Sequence, residues 1–178
     1  MRALLLCAAL LAATPALAAG PADEPGNLNG IYGALGGGGA LLVLSGDDTL
    51  GYDAEARLGY SFSPMVQIYL SAALDGGSFS GNSFKAYQLD AFVQYHFVVR
   101  PAFMVYARGG AGVGLSGDVV TTTTAAGFAF AAGLGTEIRL APDVFIAPEL
   151  FYRNAELSTN AIDVRFQVVG LQLALVYY

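Results

Sequence analysis

The residues of this chain that could do chemistry are charged and polar side chains at alternate positions within apolar stretches. In the stretch AEARLGYSF, residues 54–62, Glu55 and Arg57 alternate with apolar residues. A period of two is typical of a strand with one polar and one apolar face. The polar faces identified in this way carry Glu55, Arg57, Asp90, His96, Arg108, Glu137, Arg139, Glu149, Arg153 and Arg165. Because both signs of charge are present, the chemistry that this set predicts is ion pairing.

The polar set predicts a barrel interior filled by an ion-pair network, since a buried charge without a partner is strongly destabilising. The alternative is that the same residues line a gated, narrow polar conduit. Small residues share these inward positions, and they would either leave water-sized space or allow tight bends of the wall. They are Gly110, Gly112, Ala131, Gly133 and Gly135.

Other kinds of site find little support in the residues. His96 is the only histidine, which excludes a multi-histidine metal site, and no serine lies at a spacing that suggests a nucleophile pair. The glycine run GALGGGGA, residues 33–40, lacks the Lys-Ser/Thr that a phosphate-binding loop requires. We therefore expect no catalytic residue, no metal site and no cofactor, with His96 acting as a hydrogen-bonding residue of the interior.

The first residues predict export. Arg2 precedes an apolar run from Ala3 to Ala13, and Ala16-Leu17-Ala18 provides a small-residue cleavage site. This pattern indicates a signal peptide over 1–18, cleaved after Ala18 or Ala19, followed by a short polar lead-in over 19–27 and one domain over 28–178. Cys7 is the only cysteine, so the mature chain cannot form disulfides.

Composition then limits the fold class. Hydrophobic residues make up 55% and charged residues 12% of the chain, yet no stretch after residue 18 is long and apolar enough for a membrane helix. A closed β-barrel is the other structure that can cross lipid. The formal net charge of −6 and the scarcity of basic residues exclude nucleic acid as a partner.

Alternating hydrophobicity predicts eight strands. Their approximate ranges are 29–43, 52–62, 66–75, 84–97, 103–115, 127–140, 144–153 and 163–178. Short Pro-containing connections (SFSPM, VVRPAF, LAPDV) alternate with longer polar ones. This alternation is typical of an outer-membrane barrel, with short periplasmic turns and longer extracellular loops.

Aromatic residues near the strand ends indicate which face meets lipid. Two aromatic levels separated by small aliphatic residues are typical of the interfacial girdles of a membrane barrel. The predicted girdles include Tyr60, Phe62, Tyr95, Phe97, Phe103, Phe128, Phe130, Phe145 and Tyr177. We therefore expect the apolar face of AEARLGYSF to meet lipid and Glu55 and Arg57 to face the lumen. A soluble lipocalin-like binder, with the apolar face inward, is the alternative.

Several segments resemble small eight-stranded outer-membrane proteins of the OmpA-type, OmpX-like family. They are GIYGALGGG, EARLGYSFSP, YARGGAGVG, GLGTEIRLAPDVFIAPELFYR and the aromatic C-terminal strand. The resemblance covers nearly the whole mature chain and implies an all-β, eight-stranded antiparallel transmembrane barrel. It also implies that the barrel insertion machinery recognises a lipid-facing terminal aromatic, and Tyr177 has that parity. Lipid deacylases of similar architecture have a serine two residues after the histidine, whereas Val98 occupies that position here.

The function expected from these patterns is a non-enzymatic barrel of the bacterial outer membrane with a structural or surface-interaction role. Its expected partners are outer-membrane lipid, lipopolysaccharide and the insertion machinery, and the extracellular loops would contact a partner that the residues do not identify. The alternative function is a narrow channel for small solutes or apolar molecules. A lipid-modifying enzyme is a third and less favoured hypothesis.

Overall fold

The fold is an eight-stranded antiparallel barrel, described here from a computed structural model. The model describes residues 28–44, 47–79, 82–117, 124–158 and 163–178. The predicted signal peptide and lead-in therefore lie outside the described residues, as do short segments of all four longer connections. Within the described part of the chain, no helix is long and apolar enough to cross a membrane.

Each strand pairs with its neighbour in sequence, and the last strand pairs with the first. The strands are β1 (Gly30–Leu44), β2 (Asp47–Ser63), β3 (Val66–Phe79), β4 (Asn82–Val99), β5 (Phe103–Gly117), β6 (Thr124–Ala141), β7 (Val144–Ser158) and β8 (Asp163–Tyr177). The closing pair of strands runs from Gly33 opposite Tyr177 to Leu44 opposite Phe166. Within the described residues, each strand therefore has a paired neighbour on both sides. The predicted fold class and strand count are confirmed.

Several strands extend beyond their predicted ends on the side of the longer connections. β2 begins at Asp47 rather than near residue 52, and β7 continues to Ser158 rather than ending near residue 153. Asp47 and Asp48 lie opposite Leu44 and Val43 of β1. The start of β2 lacks an apolar alternation. At the end of β7 the apolar residues Ala155 and Leu157 face inward, the reverse of the membrane-facing pattern that the prediction used. Cross-strand backbone pairing nevertheless continues at both ends.

The three short turns share a feature of register. Irregularities in pairing lie between Ser61 and Ser63, between His96 and Val98, and between Arg139 and Ala141. Each precedes one of the short connections. A bulge inserts a residue and increases the local twist of a strand. The strands are therefore more strongly twisted where they approach the short turns.

The apolar face of the wall points outward. In β2, Leu58 is 67% exposed and Phe62 is 58% exposed, whereas Glu55 and Arg57 are each 4% exposed. The interior is layered along the barrel axis. An apolar and aromatic layer that includes Tyr32, Met104 and Phe145 occupies the short-turn end. A second apolar layer occupies the other end, and charged and polar residues fill the space between. An eight-stranded barrel has an interior just wide enough for side chains to fill.

Candidate functional site

The centre of the barrel holds two arginines and two glutamates from three strands. Arg108 of β5 donates from Nη1 to Glu55 Oε1 at 2.6 Å and from Nη2 to Glu55 Oε2 at 2.8 Å. The same guanidinium donates from Nε to Glu149 Oε1 of β7 at 2.8 Å. Arg57 Nη2 completes the group by donating to Glu55 Oε2 at 2.9 Å and to Glu149 Oε2 at 3.0 Å. We call Glu55, Arg57, Arg108 and Glu149 the ion-pair plug.

The ion-pair plug is removed from water and balanced in charge. Its four side chains are each at most 1% exposed. Two arginines face two glutamates, and each arginine contacts both glutamates. A bidentate arginine–carboxylate contact is the strongest geometry for such a pair. Because the plug joins β2 to β5 and β7, it crosses the lumen.

Neutral side chains complete the hydrogen bonding of both glutamates. Ser71 Oγ donates to Glu55 Oε1 at 2.5 Å, and Tyr106 OH donates to Glu149 Oε2 at 2.5 Å. Gln172 Nε2 lies 2.8 Å from an oxygen of each glutamate. None of these three residues was predicted from the sequence. Their alternate positions in the strands predict that all three face inward. A neutral side chain on a polar face does not, however, indicate which charge it will contact.

Arg153 forms a second charged group on the long-loop side of the plug. Its Nη1 donates to Asp53 Oδ2 at 2.6 Å and to Asp75 Oδ1 at 2.9 Å, and its Nη2 donates to Glu55 Oε2 at 3.1 Å. Sequence reasoning missed both aspartates. Asp53 has the same parity as Glu55 in β2, and Asp75 lies directly opposite Asp53 in β3. The predicted third strand ends at Asp75, whereas β3 continues to Phe79.

Asp90 lies apart from these arginines. It is 2% exposed, and Gln88 Nε2 donates to its Oδ2 at 2.7 Å. Within the described part of the chain, no group of three or more His, Cys, Asp or Glu side chains could hold a metal ion.

Glu137 organises a third polar group on the short-turn side. Gln94 Nε2 donates to Glu137 Oε1 at 2.9 Å, and His96 Nε2 lies 3.4 Å from Glu137 Oε2. Tyr178 OH donates to the same Oε2 at 2.5 Å and accepts a hydrogen bond from Gln67 Nε2. Burial, with Glu137 nearby, raises the pKa of the Tyr178 phenol well above its usual value, so the hydroxyl keeps the proton that it donates. His96 thus lies among hydrogen-bonding partners of the interior.

Tyr178→Phe is expected to reduce the free energy of unfolding by about 1–3 kcal/mol, because buried Glu137 would lose a donor. The measurement is a urea titration of the refolded protein in lipid vesicles. Tyr177→Phe is the matched control, since Tyr177 is 60% exposed on the outer face and should tolerate the change. Equal effects of the two substitutions would contradict the role assigned to Tyr178.

One residue of the predicted polar set lies elsewhere than expected. Arg165 was expected in the lumen, but it projects outward from β8, and its side chain is 62% exposed beside Glu156. Its odd position gives it the parity of exposed Val169 rather than that of buried Gln172, which is the physical reason for the error. Arg139, in contrast, has the inward parity of Glu137 and lies at the short-turn end of β6, with its guanidinium carbon 5.4 Å from the ring centroid of the buried Phe145.

One predicted girdle residue is also misplaced. Phe145 is 1% exposed and packs inside the barrel, where its ring centroid lies 5.3 Å from that of Tyr178. It shares the inward parity of Glu149 and Arg153, so strand-end position alone was a poor guide. Phe103 is half-buried. The other predicted girdle residues are exposed on the outer wall, namely Tyr60, Phe62, Tyr95, Phe97, Phe128, Phe130 and Tyr177.

The inward glycines make room for large side chains of the plug. A Cβ at Gly133 would lie 2.8 Å from Arg108 Nε and 2.9 Å from Glu149 Oε1. A Cβ at Gly135 would lie 2.5 Å from the Tyr106 hydroxyl. The space that these glycines leave is therefore occupied by the arginine and the tyrosine that hold Glu149.

Several buried polar atoms on either side of the plug have no protein partner. On the short-turn side they include Tyr32 OH, Gln67 Oε1 and His96 Nδ1. On the other side they include Asp53 Oδ1 and Asp90 Oδ1. Buried polar groups in native proteins are generally satisfied by protein or ordered water. We therefore expect internal water both above and below the plug.

Comparison with known families adds one match over nearly the whole chain. A family model described as the outer membrane protein beta-barrel domain matches residues 3–176. Among curated proteins, none matches significantly.

Solved structures with the same fold come from bacterial outer membranes. Neisserial surface protein A is 14% identical, with a TM-score of 0.67, and the match covers 82% of this chain and 96% of that chain. The attachment invasion locus protein Ail of Yersinia pestis is 17% identical, with a TM-score of 0.51 and coverage of 82% and 98%. The outer membrane protein OprG of Pseudomonas aeruginosa is 13% identical, with a TM-score of 0.51 and coverage of 88% and 100%. At these identities the likeness is one of fold.

Proposed function

We infer that this chain, which belongs to the outer membrane protein beta-barrel domain family, is a non-enzymatic barrel with a structural or surface-interaction role. It is a protein of the bacterial outer membrane. In this proposal the interior holds the barrel together rather than carrying solutes. The strand ends and the connections on the side opposite the three short turns make the contacts with other molecules at the cell surface.

The observation that carries the proposal is the ion-pair plug. Arg108 reaches Glu55 on one side and Glu149 on the other, and all three side chains are at most 1% exposed. A solute would have to separate these pairs, which would leave charges uncompensated in a region of low dielectric. The apolar layers at both ends of the interior add to the obstruction.

The surroundings of His96 support the non-enzymatic part of the proposal. Its Nε2 faces Glu137 and Gln94, and its ring makes an edge contact with Tyr106 at 5.6 Å between centroids. A general base needs a nucleophile or substrate within hydrogen-bonding reach. His96 is fully buried in the barrel interior, where a substrate would not reach it.

The expected partners follow from the setting. Lipid covers the apolar wall, and lipopolysaccharide would contact the outer end of the barrel. The insertion machinery would recognise Tyr177, which is 60% exposed on the lipid-facing side at the end of β8. Ail, whose name describes attachment and invasion, has the same fold and supports a surface-interaction role for this chain.

Electrical recording tests the proposal. The refolded protein, shown to be folded by its altered mobility on an unboiled gel, is placed in a planar bilayer. We expect no reproducible conductance, because the plug closes the lumen. Discrete and reproducible current steps would contradict a closed interior and would favour the alternative.

The alternative is a narrow channel that opens at the plug. The observation in its favour is the group of unpartnered buried polar atoms on both sides of the plug, which would hold water in two short vestibules. Carboxylates outnumber arginines there, because Asp53 and Asp75 contact Arg153 and the buried Asp90 adds a third carboxylate, so such a channel would favour cations. If it conducts, Arg108→Ala should increase the frequency of openings, and the matched control Arg165→Ala should leave it unchanged.

A further inference from the structure

A polar patch lies on the outer wall of β7 and β8, beside exposed apolar residues that include Val169 and Leu171. It consists of Asn154, Glu156, Arg165 and Gln167, which we call the outer-wall patch. Cross-strand pairing places Asn154 opposite Gln167 and Glu156 opposite Arg165. All four positions have the outward parity of exposed Val169. The patch therefore faces the surroundings of the barrel rather than its lumen.

Aromatic side chains border the patch on the neighbouring strand. Phe128 of β6 lies opposite Glu156, and Phe130 lies opposite Asn154. Phe128 is 61% exposed and Phe130 is 38% exposed. Tyr152 lies next to Phe130, with 5.9 Å between ring centroids. The patch thus combines flat aromatic faces with amide, carboxylate and guanidinium groups.

The internal contacts of the patch are weak and leave donors available. Arg165 Nη2 lies 3.5 Å from Glu156 Oε1, and both side chains are more than half exposed. An exposed pair of this kind contributes little to stability. Gln167 Nε2 donates to Tyr152 OH at 3.1 Å and to Asn154 Oδ1 at 3.4 Å. Asn154 is 1% exposed, yet its Nδ2 has no protein partner.

Hydrocarbon cannot satisfy such groups, so their position on this wall needs a polar neighbour. Unsatisfied polar groups in lipid are destabilising. Outward positions near the same end of β1, β2 and β5 include the apolar residues Leu41, Leu50 and Leu115. The patch lies beside the long-loop end of the barrel, where the headgroups of the outer leaflet begin. A headgroup that accepts and donates hydrogen bonds would satisfy Arg165 and Glu156, whose side chains are more than half exposed.

We propose that the outer-wall patch binds the phosphorylated sugar headgroup of an outer-leaflet glycolipid. The exposed guanidinium of Arg165 binds phosphate, for which its planar donors are suited. Gln167 and Glu156 bind sugar hydroxyls, and Phe128 packs against a sugar ring. The buried Asn154 positions Gln167 by accepting a hydrogen bond from its Nε2. This inference rests on the proposed location of the long-loop end at the cell surface, and it gives the general lipid contact a specific site.

The test compares glycolipid retention by matched variants. The full mature chain is reconstituted in vesicles that contain lipopolysaccharide or, in a second arm, phosphatidylglycerol alone, and is then extracted in mild detergent. Native mass spectrometry measures the lipid that remains bound. The double variant Arg165→Ala/Gln167→Ala is expected to retain about tenfold less lipopolysaccharide than the wild type, the effect of losing a charge-assisted hydrogen bond.

Lys85→Ala is the matched control. Lys85 is an outward-facing cation near the same end of β4, and it lies opposite Gly76 and Gly117 rather than amide side chains. Its removal should change retention by less than about twofold, as expected of an isolated surface charge. The unboiled gel shift confirms that each variant is folded, and Arg165→Ala alone serves as a second variant.

Three outcomes would overturn the inference. The first is equal retention by the wild type and the double variant. The second is an equal loss in Lys85→Ala, which would indicate general electrostatic attraction. The third is displacement of the glycolipid by inorganic phosphate or equal retention of phosphatidylglycerol, either of which would indicate a simple anion site. Conductance depends on the lumen, whereas glycolipid retention depends on the outer wall. The result of the bilayer recording is therefore independent of the result of the retention experiment.

Discussion

Arg108→Met is expected to lower the free energy of unfolding by about 3–5 kcal/mol, the effect of breaking a buried ion pair by removing one partner. The substitution leaves Glu55 and Glu149 with Arg57 as the cation that both still share. Both carboxylates remain buried, and their mutual repulsion is then only partly compensated. The measurement is urea unfolding in vesicles, followed by the loss of the fast-migrating band on unboiled gels.

Arg165→Met is the control for this prediction. It removes the same type of side chain from an exposed pair and should change the free energy of unfolding by less than about 1 kcal/mol. The double variant Arg108→Met/Glu149→Gln should recover part of the loss, because it removes a carboxylate together with its cation. Equal stability of Arg108→Met and Arg165→Met would mean that the plug does not hold the barrel together.

Gly133→Val should destabilise the barrel by about 3 kcal/mol, through overpacking combined with displacement of a buried ion pair. A Cβ at this position would enter the space of Arg108 Nε and Glu149 Oε1, both under 3.0 Å away. Those atoms are hydrogen-bonded to each other, so neither can move without breaking the plug. The same urea titration measures the effect.

Gly109→Val is the matched control for the glycine prediction. Gly109 lies opposite Ala132, one position along the wall from the pair Arg108 and Gly133, and points outward. A Cβ there would meet no atom within 4 Å. A valine facing lipid should therefore be tolerated. If both substitutions had equal effects, the cause would be the loss of glycine from a strand rather than the crowding of the plug.

Both predictions concern the ion-pair plug. Arg108→Met removes a charge from the plug, and Gly133→Val removes the room that the charge occupies. Buried ion pairs are weak evidence for net stability when compared with a well-packed apolar core. Their geometry is nevertheless specific, because Arg108 must reach Glu55 of β2 and Glu149 of β7 at once. We therefore expect the plug to fix one arrangement of side chains in the interior.

The strand pattern was predictable because it depends on local chemistry. A strand alternates its side chains between two faces, so eight alternating segments separated by turn residues specify eight strands. The inward parity of Glu55, Arg57, Asp90 and Glu149 follows from the same rule. The predicted faces of Arg165 and Phe145 were wrong because they do not follow this rule. Arg165 has the parity of the outer wall, and Phe145 has the parity of the lumen.

The sequence by itself determined the number of strands, the closed fold class and the presence of mixed charges on the inner face. Only the tertiary structure decided which charges meet. The partners Arg108 and Glu55 are 53 residues apart, and Arg57 and Glu149 are 92 residues apart. The stagger of the strands around the barrel and the reach of each side chain across the lumen bring them together. Those quantities depend on all eight registers at once, whereas alternation within one strand reports only which face a residue occupies.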